Sequence, residues 1–279
     1  MELIHGDLYG PISPSTIAGN RYVFVLVDDF SRFMWTFLLK EKSEAFETFK
    51  KFKVMVEVEV SRKIKTFRTD RGGEFTSHEF NRFCENEGII RQLTAPYSPQ
   101  QNGVVERRNR TLMEMTRSIL KARQVPNFMW GEAVRHSTNL INKTPTRALK
   151  EDKTPYEMLK GKKPDLQFLK VFGCAAYLKI VGGHLPKLDD RSTRLVYLGS
   201  EKGSGYRLYN PTTRRIVVGR DRDTEFDETC GWNWGKNNVF NEKESREPGM
   251  FWVEFDGGID TGVGSVNIET SESSSGSST

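Results

Sequence analysis

Arg68-Thr69-Asp70-Arg71-Gly72-Gly73-Glu74-Phe75 opens, and Tyr97-Ser98-Pro99-Gln100-Gln101-Asn102-Gly103-Val104-Val105-Glu106 closes, the stretch that decides how this sequence folds. Residues Lys63 to Arg68 predict a strand that Asp70 ends, and Gly72-Gly73 turns the chain away from it. Asn102-Gly103 precedes a long helical period, which places Glu106 in the first turn of a helix. Thirty-five residues separate the two acids. A third acid, Asp7, lies in His5-Gly6-Asp7-Leu8-Tyr9-Gly10-Pro11, near the end of a predicted first strand. A lone Asp before Gly-Pro reads as a turn residue. Three carboxylates, one on a first strand, one after a later strand and one opening a helix, can instead converge on divalent metal ions, which prefer hard oxygen ligands.

Outward from this stretch, Tyr22 to Val27 and Phe33 to Leu39 are apolar runs around Asp28-Asp29-Phe30-Ser31-Arg32 and read as a hairpin of buried strands. Asp28 and Asp29 read as turn caps, and His5 as a packing residue. Ser43 is placed to cap a helix whose Phe46, Phe49, Phe52 and Val56 recur at helical spacing, although Val54 to Val60 alternates like a strand. Thr76-Ser77-His78-Glu79 opens a second helix that Gly88 stops, and Ile89 to Leu93 gives a fifth strand. In the helix from Val104 to Lys121, Val105, Leu112, Met115 and Ile119 form the buried side. Arg107, Arg110, Arg117 and Lys121 line the other side, with Glu106 and Asn109 on the polar face. Asn127 to Lys143 predicts another amphipathic helix, and Thr154-Pro155-Tyr156-Glu157 caps a short one ended by Gly161. Short strands follow at Val171 to Ile180, Arg194 to Leu198, Tyr206 to Tyr209 and Arg215 to Val218.

The 279 residues carry a net charge of +5. From Asp223 onward there are 12 Asp and Glu against 3 Lys and Arg, a net of −9, so residues 1–222 hold about +14. A basic body with an acidic end fits a polyanion partner, because Lys and Arg release counterions condensed on phosphates. No apolar run approaches the roughly 20 residues a membrane-spanning helix needs. The three cysteines and four histidines are scattered, so neither a disulfide framework nor a Cys/His zinc module is readable.

Taken together, Asp7, the Thr69-Asp70-x-Gly-Gly-Glu-Phe75 run and the Tyr97-to-Glu106 run resemble the retroviral-type integrases, most nearly those of copia-type long-terminal-repeat retrotransposons, over about Glu2 to Glu228. The resemblance implies an α/β fold: an RNase H-like mixed five-stranded sheet flanked by helices over residues 1–125. A helical extension over 126–164, a small SH3-like β-barrel over 165–229 and an acidic, Ser-rich disordered tail over 230–279 complete the expectation. It also implies that Asp7, Asp70 and Glu106 are catalytic and bind two Mg2+ or Mn2+ ions. The implied reaction is DNA 3′-end processing followed by strand transfer, with no covalent protein intermediate and no nucleotide cofactor. The implied partners are element ends and target DNA, met by a homo-multimer at no membrane. The expected locations are a cytoplasmic virus-like particle and then the nucleus. Tyr97, Gln100, Asn102, Arg107, Arg110, Arg117 and Lys121 are the expected DNA contacts. Two alternatives stay open, an RNase H-like nuclease without strand transfer and an inactive transposon-derived nucleic-acid-binding remnant. The family's zinc module, protease and reverse transcriptase are not among these residues, and Arg71 stands where many integrases carry Asn.

Overall fold

The computed structural model describes residues 1–94, 103–180, 188–201 and 205–235. The expected loop contacts Tyr97, Gln100 and Asn102, and the chain from 236 onward, lie outside the described residues.

Strands β1 (Leu3–Tyr9), β2 (Tyr22–Asp28), β3 (Met34–Leu39), β4 (Thr66–Thr69) and β5 (Ile90–Leu93) form one mixed sheet in the order β3-β2-β1-β4-β5. The first three pair antiparallel as the apolar hairpin predicts, whereas β1, β4 and β5 run parallel. Helices α1 (Ala45–Val60) and α2 (His78–Asn86) cover one face. There Phe49, Phe52, Phe67, Phe75 and Phe80 are completely buried, and Phe49 stacks on Phe67 with ring centroids 4.2 Å apart. Helices α3 (Gly103–Ala122) and α4 (Trp130–Lys143) cover the other face through Val105, Leu112, Trp130 and Val134. Gly6 is required where β1 crosses Phe67, since a Cβ there would come within 2.6 Å of the ring.

Several local expectations change. Helix α1 persists to Val60, because burying Phe49, Phe52 and Val56 outweighs the strand-like alternation of Val54 to Val60. Ser43 does not cap it: the chain enters through a 3-10 turn, Lys42–Glu44, which carries the box of Glu41 and Glu44, and Ser43 Oγ donates to Glu41. Ser77 caps α2, its hydroxyl accepting from Phe80 N. The capping box of Thr154 and Glu157 on α5 (Pro155–Lys160) is as expected.

The strand-rich segment folds into an all-antiparallel five-stranded sheet ordered β10-β6-β7-β8-β9. Its strands are β6 (Cys174–Lys179), β7 (Ser192–Glu201), β8 (Gly205–Asn210), β9 (Arg215–Arg220) and β10 (Thr224–Gly231). One side encloses Cys174, Leu195, Tyr197, Tyr206 and Leu208. The other side joins the core beneath α3 and α4 through Val196, Leu198 and Tyr209. The tail was expected from residue 230, but β10 runs through Cys230 to Gly231, and Trp234 is buried with its ring stacked on Tyr209. The energy of burying an indole against the shared core holds the chain to residue 235.

A candidate metal and nucleic-acid site

The register between β1 and β4 matches Leu3 with Thr66, Ile4 with Phe67 and His5 with Arg68. The pairing ends there; Asp7 lies two residues further along β1 and Asp70 just past the end of β4, on neighbouring strands spaced about 4.8 Å apart. Both are at the carboxyl ends of parallel strands, the end of an open α/β sheet where ligands bind. Alternation turns Ile4, Gly6 and Leu8 toward the phenylalanine core, which leaves Asp7 on the α3 face.

Each Asp7 oxygen has a donor: Leu8 N reaches Oδ1 at 2.9 Å, and Asn109 Nδ2 on α3 reaches Oδ2 at 2.5 Å. Burial, first, and repulsion from Asp70 and Glu106 push Asp7 up from its ordinary value to about 6, although those two hydrogen bonds work the other way. Asp70 Oδ1 accepts from Gly72 N at 3.0 Å, and a Cβ at Gly72 would meet the Glu74 carboxylate at 2.8 Å. Glu106 is exposed in the first turn of α3, where the helix N-terminus favours a carboxylate.

Asp70 and Glu106 therefore act on Asp7 electrostatically. Among the described residues, however, no three His, Cys, Asp or Glu side chains are drawn close enough to enclose a metal ion. An ionised carboxylate offers about four lone-pair sites, of which the donors at Asp7 use two. The set therefore has oxygen capacity left, and a divalent cation would relieve the repulsion that raises Asp7.

Asn109 is the residue that sequence reasoning misplaced. Its spacing places it on the polar face with Glu106 and Arg110, yet it is buried and faces Asp7, because the buried seam runs Val105-Asn109-Leu112-Thr116. Its helical spacing from Val105 and Leu112 was the available signal. Arg107, Arg110, Arg117 and Lys121 are all exposed along the outer side of α3. Glu114, also exposed, stands four residues after Arg110 and three before Arg117 and dilutes that basic row. Arg108 is drawn inward, and burial and then Arg32 lower its pKa. His5 is buried with Nε2 3.0 Å from Asp29 Oδ1, and Asp28 caps its turn by accepting from Ser31 N at 2.8 Å. Both are structural, as expected. No helix among the described residues is long and apolar enough to cross a membrane.

Residues 1–99 match the family described as Integrase core domain, and residues 174–240 match Retroviral polymerase SH3-like domain. The first match includes Asp7 and Asp70 and ends before Glu106. The chain is 39% identical over 230 residues to the Retrovirus-related Pol polyprotein from transposon TNT 1-94 of Nicotiana tabacum, covering 82% of this chain and 17% of that protein. It is 34% identical over 232 residues to the Retrovirus-related Pol polyprotein from transposon RE1 of Arabidopsis thaliana, covering 82% and 15%. The chain thus spans about one-sixth of the length of these relatives. Among solved structures, it is similar to a chain of the simian T-cell lymphotropic virus intasome in complex with PP2A regulatory subunit B56 gamma, with a TM-score of 0.48 and 18% identity over 81% of this chain and 78% of that one. Residues 1–99 thus belong to the integrase core domain family and residues 174–240 to the retroviral polymerase SH3-like family, in a chain similar to a segment of copia-type retrotransposon Pol polyproteins.

Proposed function

We propose that the chain carries out divalent-metal-dependent phosphoryl transfer on DNA, trimming an element end and joining its 3′-hydroxyl to target DNA, with Asp7, Asp70 and Glu106 as the catalytic carboxylates. The observation that carries this reading is the position of Asp7 on β1, beside the parallel strand β4 that leads to Asp70, where burial and repulsion from Asp70 and Glu106 push it up to about 6. A bound Mg2+ or Mn2+, one ion or two, supplies Lewis-acid charge at the reacting phosphoryl group.

The chain's own residues do the rest. Leu8 N and Asn109 hold the two oxygens of Asp7 and keep its carboxylate turned to the α3 face. Gly72 N holds Asp70 Oδ1 and leaves the second oxygen for a cation. Glu106, exposed in the first turn of α3, is the third carboxylate of the set. The DNA backbone is held by Arg107, Arg110, Arg117 and Lys121, together with Tyr97, Gln100 and Asn102. Such contacts to phosphate position the duplex without reading its sequence. The active form is a homo-multimer bridging element ends and target, working in the nucleus after passage through a virus-like particle.

The test is a processing and strand-transfer assay on duplexes ending in terminal-repeat sequence, with Mg2+, Mn2+ or chelator. Cation-dependent cutting and joining that disappear in Asp70→Asn support the reading. Cutting without joining would reduce the activity to that of a nuclease, and cutting that survives Asp70→Asn would remove Asp70 from the site.

A further inference from the structure

Arg91 is a cation that the proposed chemistry does not use, and its surroundings are unusual for one. It lies on β5 in register with Phe67 and turns into the phenylalanine core. Its guanidinium sits 4.4 Å from the Phe80 ring centroid and 5.3 Å from that of Phe67. Nε and Nη1 are buried without a hydrogen-bond acceptor, and the Cys84 thiol is their polar neighbour. Burial lowers the Arg91 pKa, with the Cys84 interaction opposing it. A largely buried charge without a carboxylate is costly, and an apolar residue there would commonly be as stable.

What the guanidinium does hold is the turn that carries Asp70. Nη2 donates to the Phe75 carbonyl at 2.7 Å and to Thr69 Oγ1 at 3.3 Å. Thr69 Oγ1, itself completely buried with its residue, donates onward to the Asp70 carbonyl at 2.9 Å. One nitrogen thus ties together both ends of the segment Thr69 to Phe75, with Asp70 and its Gly72 donor between them. The guanidinium approaches from the opposite side of the sheet to Asp7, and it is not among the charges that shift Asp7. Its effect on the acids therefore runs through backbone position rather than through its field.

We propose that Arg91 is a positioning residue for the acid pair: by clamping Thr69 and the Phe75 carbonyl from β5, it sets Asp70 at the depth where it shares a divalent cation with Asp7. This rests on the metal-site reading given above. Groups that orient metal-binding side chains without touching the metal typically change affinity by about 10–100-fold when removed.

The test is Mn2+ titration of the full chain by water-proton relaxation, with thermal unfolding measured on the same samples. Arg91→Met and Thr69→Val should each weaken Mn2+ binding by about tenfold while the thermal midpoint stays near that of the parent. Thr69→Ser, which restores the hydroxyl, should recover the affinity. Arg91→Lys keeps the charge but not the planar fork and should behave like Arg91→Met. Parent-like Mn2+ binding in Arg91→Met, or recovery in Arg91→Lys, would overturn the proposal. If Arg91→Met fails to fold, Thr69→Val against Thr69→Ser decides, and equal affinities in that pair would overturn it too. Asp70→Asn separates the two readings: if it leaves Mn2+ binding unchanged, the metal site itself is wrong, whatever Arg91 does.

Discussion

In the first sheet Asp70 repels Asp7, whereas charges that join the two halves of the molecule are matched: Arg207 on β8 forks onto Glu132 of α4 through two bonds of 2.9 Å. At the same seam Arg123 donates to the Thr229 and Glu228 carbonyls, and Asn139 to Ser200. At the seam these charged groups meet partners within the protein, although His136 Nδ1 and Trp234 Nε1 are buried there without one. The acid end is a surface whose like charges need something from outside, which is the pattern of a functional site rather than a structural one. Breaking each should have a different signature.

The largest effect belongs to the acids. Asp70→Asn should lower metal-dependent cleavage by at least about a hundredfold, since several kcal/mol of transition-state charge stabilisation are at stake and each 1.36 kcal/mol is a factor of ten. Its thermal midpoint should not fall, because a repulsion is removed. A lower midpoint with cleavage retained would reverse the contrast between the two regions. At the seam the expectation is the opposite. Glu132→Ala leaves the Arg207 guanidinium partly buried without its carboxylate and should cost about 2 kcal/mol in denaturant unfolding, with Mn2+ binding unaffected. A fragment of residues 165–235 should likewise bind a hydrophobic dye, because Val196, Leu198, Tyr209 and Trp234 lose the core they share with α3 and α4. A tightly folded fragment with no exposed apolar face would mean that the seam is a docking surface between two independent bodies.

How far these features could be read from sequence follows the range of the forces behind them. The Phe49-Phe52-Val56 stripe and the Thr154-Glu157 capping box are local patterns, and the structure contains both. The nearness of Asp7 to Asp70 depends on the parallel alignment of β1 with β4, which no single segment carries. Asn109 reads as part of the polar face because a polar residue on a helix usually goes there, and its partner is 102 residues away. Strand β10 escaped notice because only Thr224 in Thr224–Gly231 is buried, so its sequence lacks an apolar alternation. The shared core under β7 and β8 was missed for the same reason as Asn109: both faces of those strands are apolar, and sequence does not say against what.

Protons should distinguish the regions next. The folded-state pKa of Asp7 is raised from 3.8 to about 6, so its stabilising contribution is fully present below 3.8 and is lost as pH rises through 6. The cation-free chain should therefore gain stability on acidification from neutral pH toward 5, a gain that Asp7→Asn should abolish. Mn2+ affinity should run the other way and fall by about tenfold per pH unit below 6, as one proton competes with the metal. Asn109→Leu removes a bond that favours the carboxylate and should move that midpoint upward. A pH-independent Mn2+ affinity between 5 and 7 would mean that Asp7 does not contribute to the metal site.

The smallest effect is expected on the outer side of α3, where charges are exposed and screened. Arg107, Arg110, Arg117 and Lys121 present cations to solvent, and the Arg107 guanidinium folds back within 3.0 Å of where a Cβ on Gly103 would sit. Each phosphate contact should contribute a slope of about −0.9 in log K against log salt. Arg107→Ala with Arg110→Ala should thus weaken binding to all duplexes alike and flatten the slope by about 2 units. Glu114→Gln sharpens the assignment. Removing the acid between Arg110 and Arg117 should strengthen binding at low salt, with the gain fading as the Debye length shrinks from about 10 Å at 0.1 M toward 3 Å at 1 M. A salt titration of parent, double variant and Glu114→Gln reads all three. If neither the slope nor the low-salt affinity moves, this side of α3 is a solvated face, and the basic surface that meets DNA must be sought on the second sheet, where Arg215 and Arg220 of β9 are likewise exposed.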